Sequence, residues 1–290
     1  KLIVYFQQST FSFFVSNERK TLSIFSSDIF IVNVMKIFLS LLIFSISASF
    51  GQEKKPQPPG EIPPFSKSLQ AVVVTTGGWQ ATKGEARLFE RKNAKSDWKL
   101  SGEAFPVVVG RAGLAWGAGL NALPTDTDRS AHKAEGDGKA PAGIFALSSA
   151  FGSEEKPPFV KLPYQRLEEF TECVDDAAST HYNKIVHRLR VGIFDWKSSE
   201  KMLEIGDQYA LGVFVEHNFE RRPGAGSCIF FHVWKDADSP TAGCTAMARP
   251  DMEKVLAFLD PKKNPVLIQL PADSYEQFQK KWNLPKLRNK

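Results

Sequence analysis

The sequence predicts a mainly β (α+β) domain with a few peripheral helices. Three observations carry this reading. Six short apolar runs rich in β-branched and aromatic residues recur between turn-forming residues from residue 69 onward. Only two segments show helical periodicity. No second linker and no internal repeat interrupts residues 69–290, so they read as one domain.

The runs follow in order. LQAVVVTT (69–76) is β-branched and stops at Gly77-Gly78. AFPVVVGR (104–111) repeats the type. EGDGKAPAG, around Glu135 and Asp137, reads as a β-turn with glycines at positive φ, leading into GIFALSSAFG (143–152). It lacks the further acidic ligands a calcium loop needs. YALGVFVEHN (209–218) and SCIFFHVW (227–234) are the next two runs, and NPVLIQLP (264–271) closes the series. In PDMEKVLAFLD, Met252, Val255, Leu256 and Leu259 fall at i, i+3, i+4 and i+7, one face of a helix. Pro250 suits its first turn, Asp251 and Glu253 suit its positive end, and Pro261 ends it. DSYEQFQKKW (273–282) reads as a shorter terminal helix.

The N-terminal part reads differently. Met35-Lys36 followed by apolar Ile37–Ile46 and small Ser49 and Gly51 has the layout of a cleaved signal peptide, with an apolar stretch too short to span a bilayer. Residues 1–34 are then expected to be upstream sequence translated by mistake, 35–51 the signal peptide, and 52–68 a Pro-rich linker, GQEKKPQPPGEIPPF at its centre. The other reading of Ile29–Phe50 is an uncleaved anchor. Cleavage after Gly51 removes four basic and two acidic residues and leaves 33 and 30, a net charge of +3. That balance is too mild to argue for nucleic acid. Three cysteines leave an odd thiol in an exported chain. If Cys244 is reactive, the one bridge left is Cys173 to Cys228, and two buried free thiols fit equally well.

Along SCIFFHVW, side chains alternate, so Cys228, Phe230, His232 and Trp234 share one face and Ile229, Phe231 and Val233 the other. A histidine in such a run is ordinarily a satisfied core residue. SPTAGCTAM (239–247) is too small and too broken for a core strand, and its small residues let backbone approach a ligand. A cysteine in such a turn has backbone N–H groups beside it that can stabilise a thiolate or an oxyanion. An imidazole nearby can take the thiol proton and return it to a leaving amine. No Asp or Asn is evident as its orienting group; a backbone carbonyl such as that of Val233 would serve. The other histidines, His132, His181, His187 and His217, lack metal-ligand spacing, so no metal and no cofactor is expected. Asp175-Asp176 with Tyr182-Asn183 either line the cleft or order a loop.

Residues 224–247, GAGSCIFFHVWKDADSPTAGCTAM, resemble the active-site segment of the L,D-transpeptidase catalytic domains, the YkuD-like family, in the branch with a PTAGC motif. GRAGLAWGAG (110–119), KAEGDGKAPAGIF (133–145), CVDDAASTHYN (173–183) and GDQYALGVFVEHN (206–218) are similar to further family elements in the same order. The resemblance spans about residues 70–271 and implies an L,D-transpeptidase-like β-sandwich or barrel. It further implies an exported bacterial enzyme of the periplasm or cell envelope. Its partners would be peptidoglycan stem peptides, with no nucleic acid, no stable membrane insertion after signal cleavage, and a monomeric state. Cys244 would be the nucleophile and His232 its base. The oxyanion and substrate groups would be Gly243 with the Cys244 N–H, Ala242, Thr241, Trp234 and Arg249. A tetrapeptide stem would acylate Cys244 with loss of D-Ala, and an amine of a second stem would resolve the thioester as a 3→3 cross-link. Water as acceptor would make an L,D-carboxypeptidase, and loss of turnover a wall-binding module. Two positions depart from the family: Ala242 where a second histidine is usual, and Ala246 where Asn or Arg is frequent. Arg249 is then the candidate carboxylate contact, against its plain reading as a solvated residue at a helix start.

Overall fold

Eight strands close on themselves through parallel and antiparallel ladders. They are β1 (Gln70–Thr76), β2 (Lys83–Glu90), β4 (Phe105–Val108), β6 (Ala140–Gly152), β11 (Gly212–Val215), β12 (Phe230–Val233), β13 (Thr245–Met247) and β14 (Val266–Pro271). Their order is β1-β14-β6-β11-β12-β13-β4-β2, and β2 pairs back onto β1. The expected mainly β domain is therefore a barrel, whose closure leaves these strands without a free edge. This computed structural model describes residues 65–121 and 132–287. The expected upstream segment, the signal peptide and linker residues 52–64 lie outside the described residues. The last linker residues are folded: the Arg91 guanidinium donates to the carbonyls of Phe65, Ser66 and Ser68 and lies 4.3 Å from the Trp98 ring centroid.

The β-branched pattern explains the core. Val72, Val73 and Val74 of β1 are wholly buried between β14 and β2. Each such side chain contributes about 1.5–3 kcal/mol by leaving water. β14 runs parallel to β1 and antiparallel to β6, so its Val266–Leu270 run is enclosed on both faces. Short strands pair where β2 and β6 run beyond their barrel neighbours: β3 (Lys99–Leu100) on the end of β2, β5 (Leu114–Trp116) parallel to the start of β6, and β7 (Tyr164–Arg166) parallel to its end. The turn before β6 uses glycine as expected, since Gly136 and Gly138 both have φ of 69°. Helix α1 (Arg249–Phe258) has Pro250 at its start and buries Met252, Val255 and Leu256, the face the spacing defines. Helix α2 (Ala272–Gln279) buries Tyr275 and Phe278. Among the described residues no helix is long and apolar enough to cross a membrane.

Two expectations need correction. SPTAGCTAM contains a core strand after all: β13 is fully buried, parallel to β12 and antiparallel to β4. Three residues are too few to show an alternation, and the small side chains that look loop-like suit a strand enclosed on both sides. The run 209–218 is strand only at Gly212–Val215, and Tyr209 belongs to a 3-10 turn, Met202–Tyr209, broken at Gly206 with φ of 73°. Apolar content alone does not separate the two.

A second sheet lies beside the first. β8 (Thr171–Val174) runs between β9 (Ile185–His187) and β10 (Ser199–Lys201), antiparallel to both. A disulfide joins Cys173 of β8 to Cys228, just ahead of β12. That settles the open choice for these thiols and leaves Cys244 free. Cys228 has φ of 54°, a left-handed conformation that a side chain with a Cβ adopts at a cost. The disulfide and a hydrogen bond from the Cys228 N–H to Asn183 Oδ1 (3.0 Å) hold it there. The Asn183 amide also donates to the carbonyls of His217 and Asn218, so Asn183 orders loops.

Candidate active site

β12 separates its two faces as alternation requires. Phe231 and Val233 join the main core, with Ile229 just before the strand, while Phe230 packs in a smaller cluster with Cys228, Phe151, Tyr209, Phe214 and Cys244. The parallel register sets His232 opposite Ala246 and Phe231 opposite Thr245, which brings Cys244 alongside Phe230. Cys244 and His232 therefore project from neighbouring chain segments onto the same face, two residues out of step. Each is almost enclosed, at 7% and 5% exposure.

The hydrogen bonds define their states. His232 Nδ1 lies 2.8 Å from the carbonyl oxygen of Val233. A carbonyl only accepts, so Nδ1 carries the proton and Nε2 of the neutral ring is left as a base. Burial pushes the imidazole down to about 4, only partly offset by that bond. The Cys244 thiol donates to the carbonyl of Cys228 (3.5 Å) and receives the Phe230 N–H (3.4 Å). Burial, followed by the charge of Glu200, pushes it up to about 12, against the Phe230 N–H and Lys133. The resting pair is thus thiol and neutral imidazole, not a preformed thiolate. Thiol and imidazole are not hydrogen-bonded to each other.

Thr241 organises the turn that carries the cysteine. Its hydroxyl donates to the Cys244 carbonyl (2.7 Å) and accepts the Gly243 N–H (3.1 Å). One of the two expected oxyanion donors is therefore already engaged. A Cβ on Gly243 would stand 3.1 Å from the Lys139 carbonyl oxygen and 3.7 Å from Lys133 Nζ, so backbone and cation crowd this glycine. Ala242 is exposed and Ala246 buried. Trp234 is half-buried and donates its backbone N–H to Met247. Arg249 has acidic partners of its own. It heads α1, exposed, with its guanidinium 3.2 Å from Glu253 and 3.8 Å from Glu154.

Other residues meet here, of which sequence reasoning singled out Glu135, Asp137 and Tyr182 but not Lys133, Tyr209 or Glu200. Lys133 is buried against Asp137 (2.6 Å). The Glu135 carboxylate accepts from the Tyr182 hydroxyl and from Ser227 Oγ, tying the turn before β6 to the entrance of β12. Tyr182 thus supports the site's frame rather than ordering a loop alone. The Tyr209 ring packs edge-on to His232 with centroids 5.3 Å apart, and its hydroxyl donates to Glu200 Oε2 (2.7 Å). Glu200 lies on β10 opposite Cys173. Nothing local in the sequence marks it, because it arrives through the second sheet and the disulfide. Among the described residues no cluster of side chains suits a metal ion.

The model of the L,D-transpeptidase catalytic domain, YkuD, matches residues 83–268. The crystal structure of the helical cell shape determining protein Pgp2 from Campylobacter jejuni is similar at 14% identity and a TM-score of 0.33, over 72% of this chain and 52% of that one. The chain thus spans about half the length of that protein. No curated protein matches the chain. The matched segment covers well over half of the sequence and includes every barrel strand except β1 and the end of β14, and the chain belongs to the L,D-transpeptidase catalytic domain family, whose members are in general cysteine enzymes acting on peptidoglycan.

Proposed function

We propose that this protein is a peptidoglycan L,D-transpeptidase with Cys244 as nucleophile and His232 as general base. The observation that carries the reading is the Nδ1 bond to the Val233 carbonyl, which leaves Nε2 basic on the face that also holds the free thiol of Cys244. The Cys244 proton passes to Nε2 as Sγ attacks the carbonyl of the third residue of a tetrapeptide stem. The Cys244 N–H faces the oxyanion, and Thr241 keeps the turn rigid. The intermediate collapses, the imidazolium protonates the departing D-Ala amine, and a thioester remains. The acceptor, the side-chain amine of a second stem, gives a proton to His232 as it attacks, and the thiol is released with a 3→3 cross-link formed. The site needs no cofactor. The working location is the cell envelope after export, the working form a monomer.

Purified protein incubated with tetrapeptide muropeptides should release D-Ala and form dimers, and Cys244→Ala should do neither. Trimmed monomers without dimers would assign water as the acceptor. Intact-mass measurement after carbapenem treatment adds a check on the thiol: an acylated protein supports the enzyme, and an unmodified one assigns a wall-binding module.

A further inference from the structure

Two acidic groups and two tyrosines lie around the cysteine that the proposed chemistry does not use. Glu200 is the one tied to it most directly. It faces Cys173 across the ladder between β10 and β8, Cys173 is bonded to Cys228, and the Cys228 carbonyl accepts the Cys244 thiol. From the other side, the Tyr209 hydroxyl donates to Glu200 while its ring packs on both His232 (5.3 Å) and Phe230 (5.6 Å), the residue whose N–H meets Cys244 Sγ. The second sheet thus links a carboxyl group to the base through the Tyr209 ring and to the nucleophile through the Cys173–Cys228 bond.

We propose that Glu200 is a positioning residue whose ionised carboxylate, fixed by Tyr209, adds to burial in keeping the Cys244 thiol protonated while the site is idle. The inference rests on Cys244 being the nucleophile. A negative charge near a thiol disfavours the thiolate. The thiolate is also the form that oxidises and exchanges with disulfides, and one disulfide ends at the residue whose carbonyl meets this thiol. Tyr209 from the 3-10 turn bonds Glu200, Asp175 just after β8 and Glu135 from the turn before β6 act on it by charge, and Glu200 and Lys133 act on Cys244 by charge. Burial pushes Glu200 up to about 7, with Asp175 and Glu135 adding to it and the Tyr209 bond opposing. The restraint therefore switches on as pH rises through about 7.

The test is the rate at which a small haloacetamide alkylates Cys244 in the full chain, followed by mass against pH. Cys173 and Cys228 are bonded, so Cys244 is the free thiol. Glu200→Gln should react as fast as the parent well below the Glu200 titration. It should react about tenfold faster above it, as a neighbouring charge worth roughly one pKa unit implies. Glu200→Asp should restore the parent profile in part. Tyr209→Phe removes the bond that opposes the upward shift and should move the step to higher pH. Equal rates for Glu200→Gln and parent across the range, or an unmoved step in Tyr209→Phe, would overturn the inference. Should Glu200→Gln not fold, the Tyr209→Phe profile decides. Release of D-Ala by Cys244→Ala would overturn the proposed function instead, a result these alkylation profiles cannot produce.

Discussion

His232 Nδ1 lies 2.8 Å from the carbonyl oxygen of Val233, the next residue on the same strand. The imidazole is oriented by its own backbone, without a carboxylate. A carbonyl fixes the tautomer but adds no negative charge, so the ring stays a weak base in the buried site. His232→Gln should lower kcat for D-Ala release by about 10²–10⁴-fold, the usual worth of a positioned general base. With the ring neutral above about 4, activity that depends on it should persist above that pH and fall away as pH drops through it. A profile that instead loses activity near the ordinary histidine value would contradict the buried state of the ring.

The same burial bears on acid stability. His217 is also enclosed, bonded through Nε2 to the Ala225 carbonyl, and burial pushes it down to about 4. Both rings have folded-state values below their unfolded ones, so the unfolded chain binds more protons between about 4 and 6.5. Their contribution is fully present above about 6.5 and is lost as pH falls toward 4. Glu200, pushed up to about 7, gains over part of the same window, so the histidine effect is read as a difference: the urea midpoint of His217→Gln relative to the parent should rise as pH falls from about 6.5 toward 4. A difference that holds constant there would argue against a neutral buried His217.

Thr241 spans the turn with one hydroxyl, accepting from Gly243 and donating to Cys244. Thr241→Val keeps the shape and loses both bonds, leaving a buried N–H unpaired. Stability should fall by about 1–3 kcal/mol. Turnover should fall further than substrate binding, since the turn carries the nucleophile. Thr241→Ser should recover most of both. Thermal melts paired with kcat and KM would separate the two effects.

Cys173 and Cys228 are 55 residues apart in sequence, so their bond closes a long loop. Replacing both by Ser should cost about 2–5 kcal/mol. Cys228 would then keep its left-handed backbone with Asn183 alone, and the carbonyl against Cys244 would lose its anchor. Carbapenem acylation should slow along with the fall in melting temperature. Unchanged acylation in the double variant would show that the second sheet does not position the thiol.

Much of the architecture was written locally. The strand cores at 69–76 and 264–271, the helix face of Met252, Val255 and Leu256, and the opposite facing of Phe230 and Phe231 are consequences of period, which nearest neighbours in sequence express. Strand β2 was not legible, because Lys83, Glu85 and Arg87 interrupt a run whose Ala86 and Leu88 are the inward residues.

By itself the sequence determined a mainly β chain, a histidine on one face of an apolar strand, and a cysteine in a small-residue segment. Only the tertiary structure decided that this segment continues as a strand beside the histidine. It also decided that Cys173 bonds Cys228, and that Glu200 comes to the site from a second sheet and Tyr209 from a 3-10 turn. The reason is physical: periodicity records which way a side chain points, whereas pairing between distant segments depends on the closed barrel, and no local stretch of sequence carries that closure.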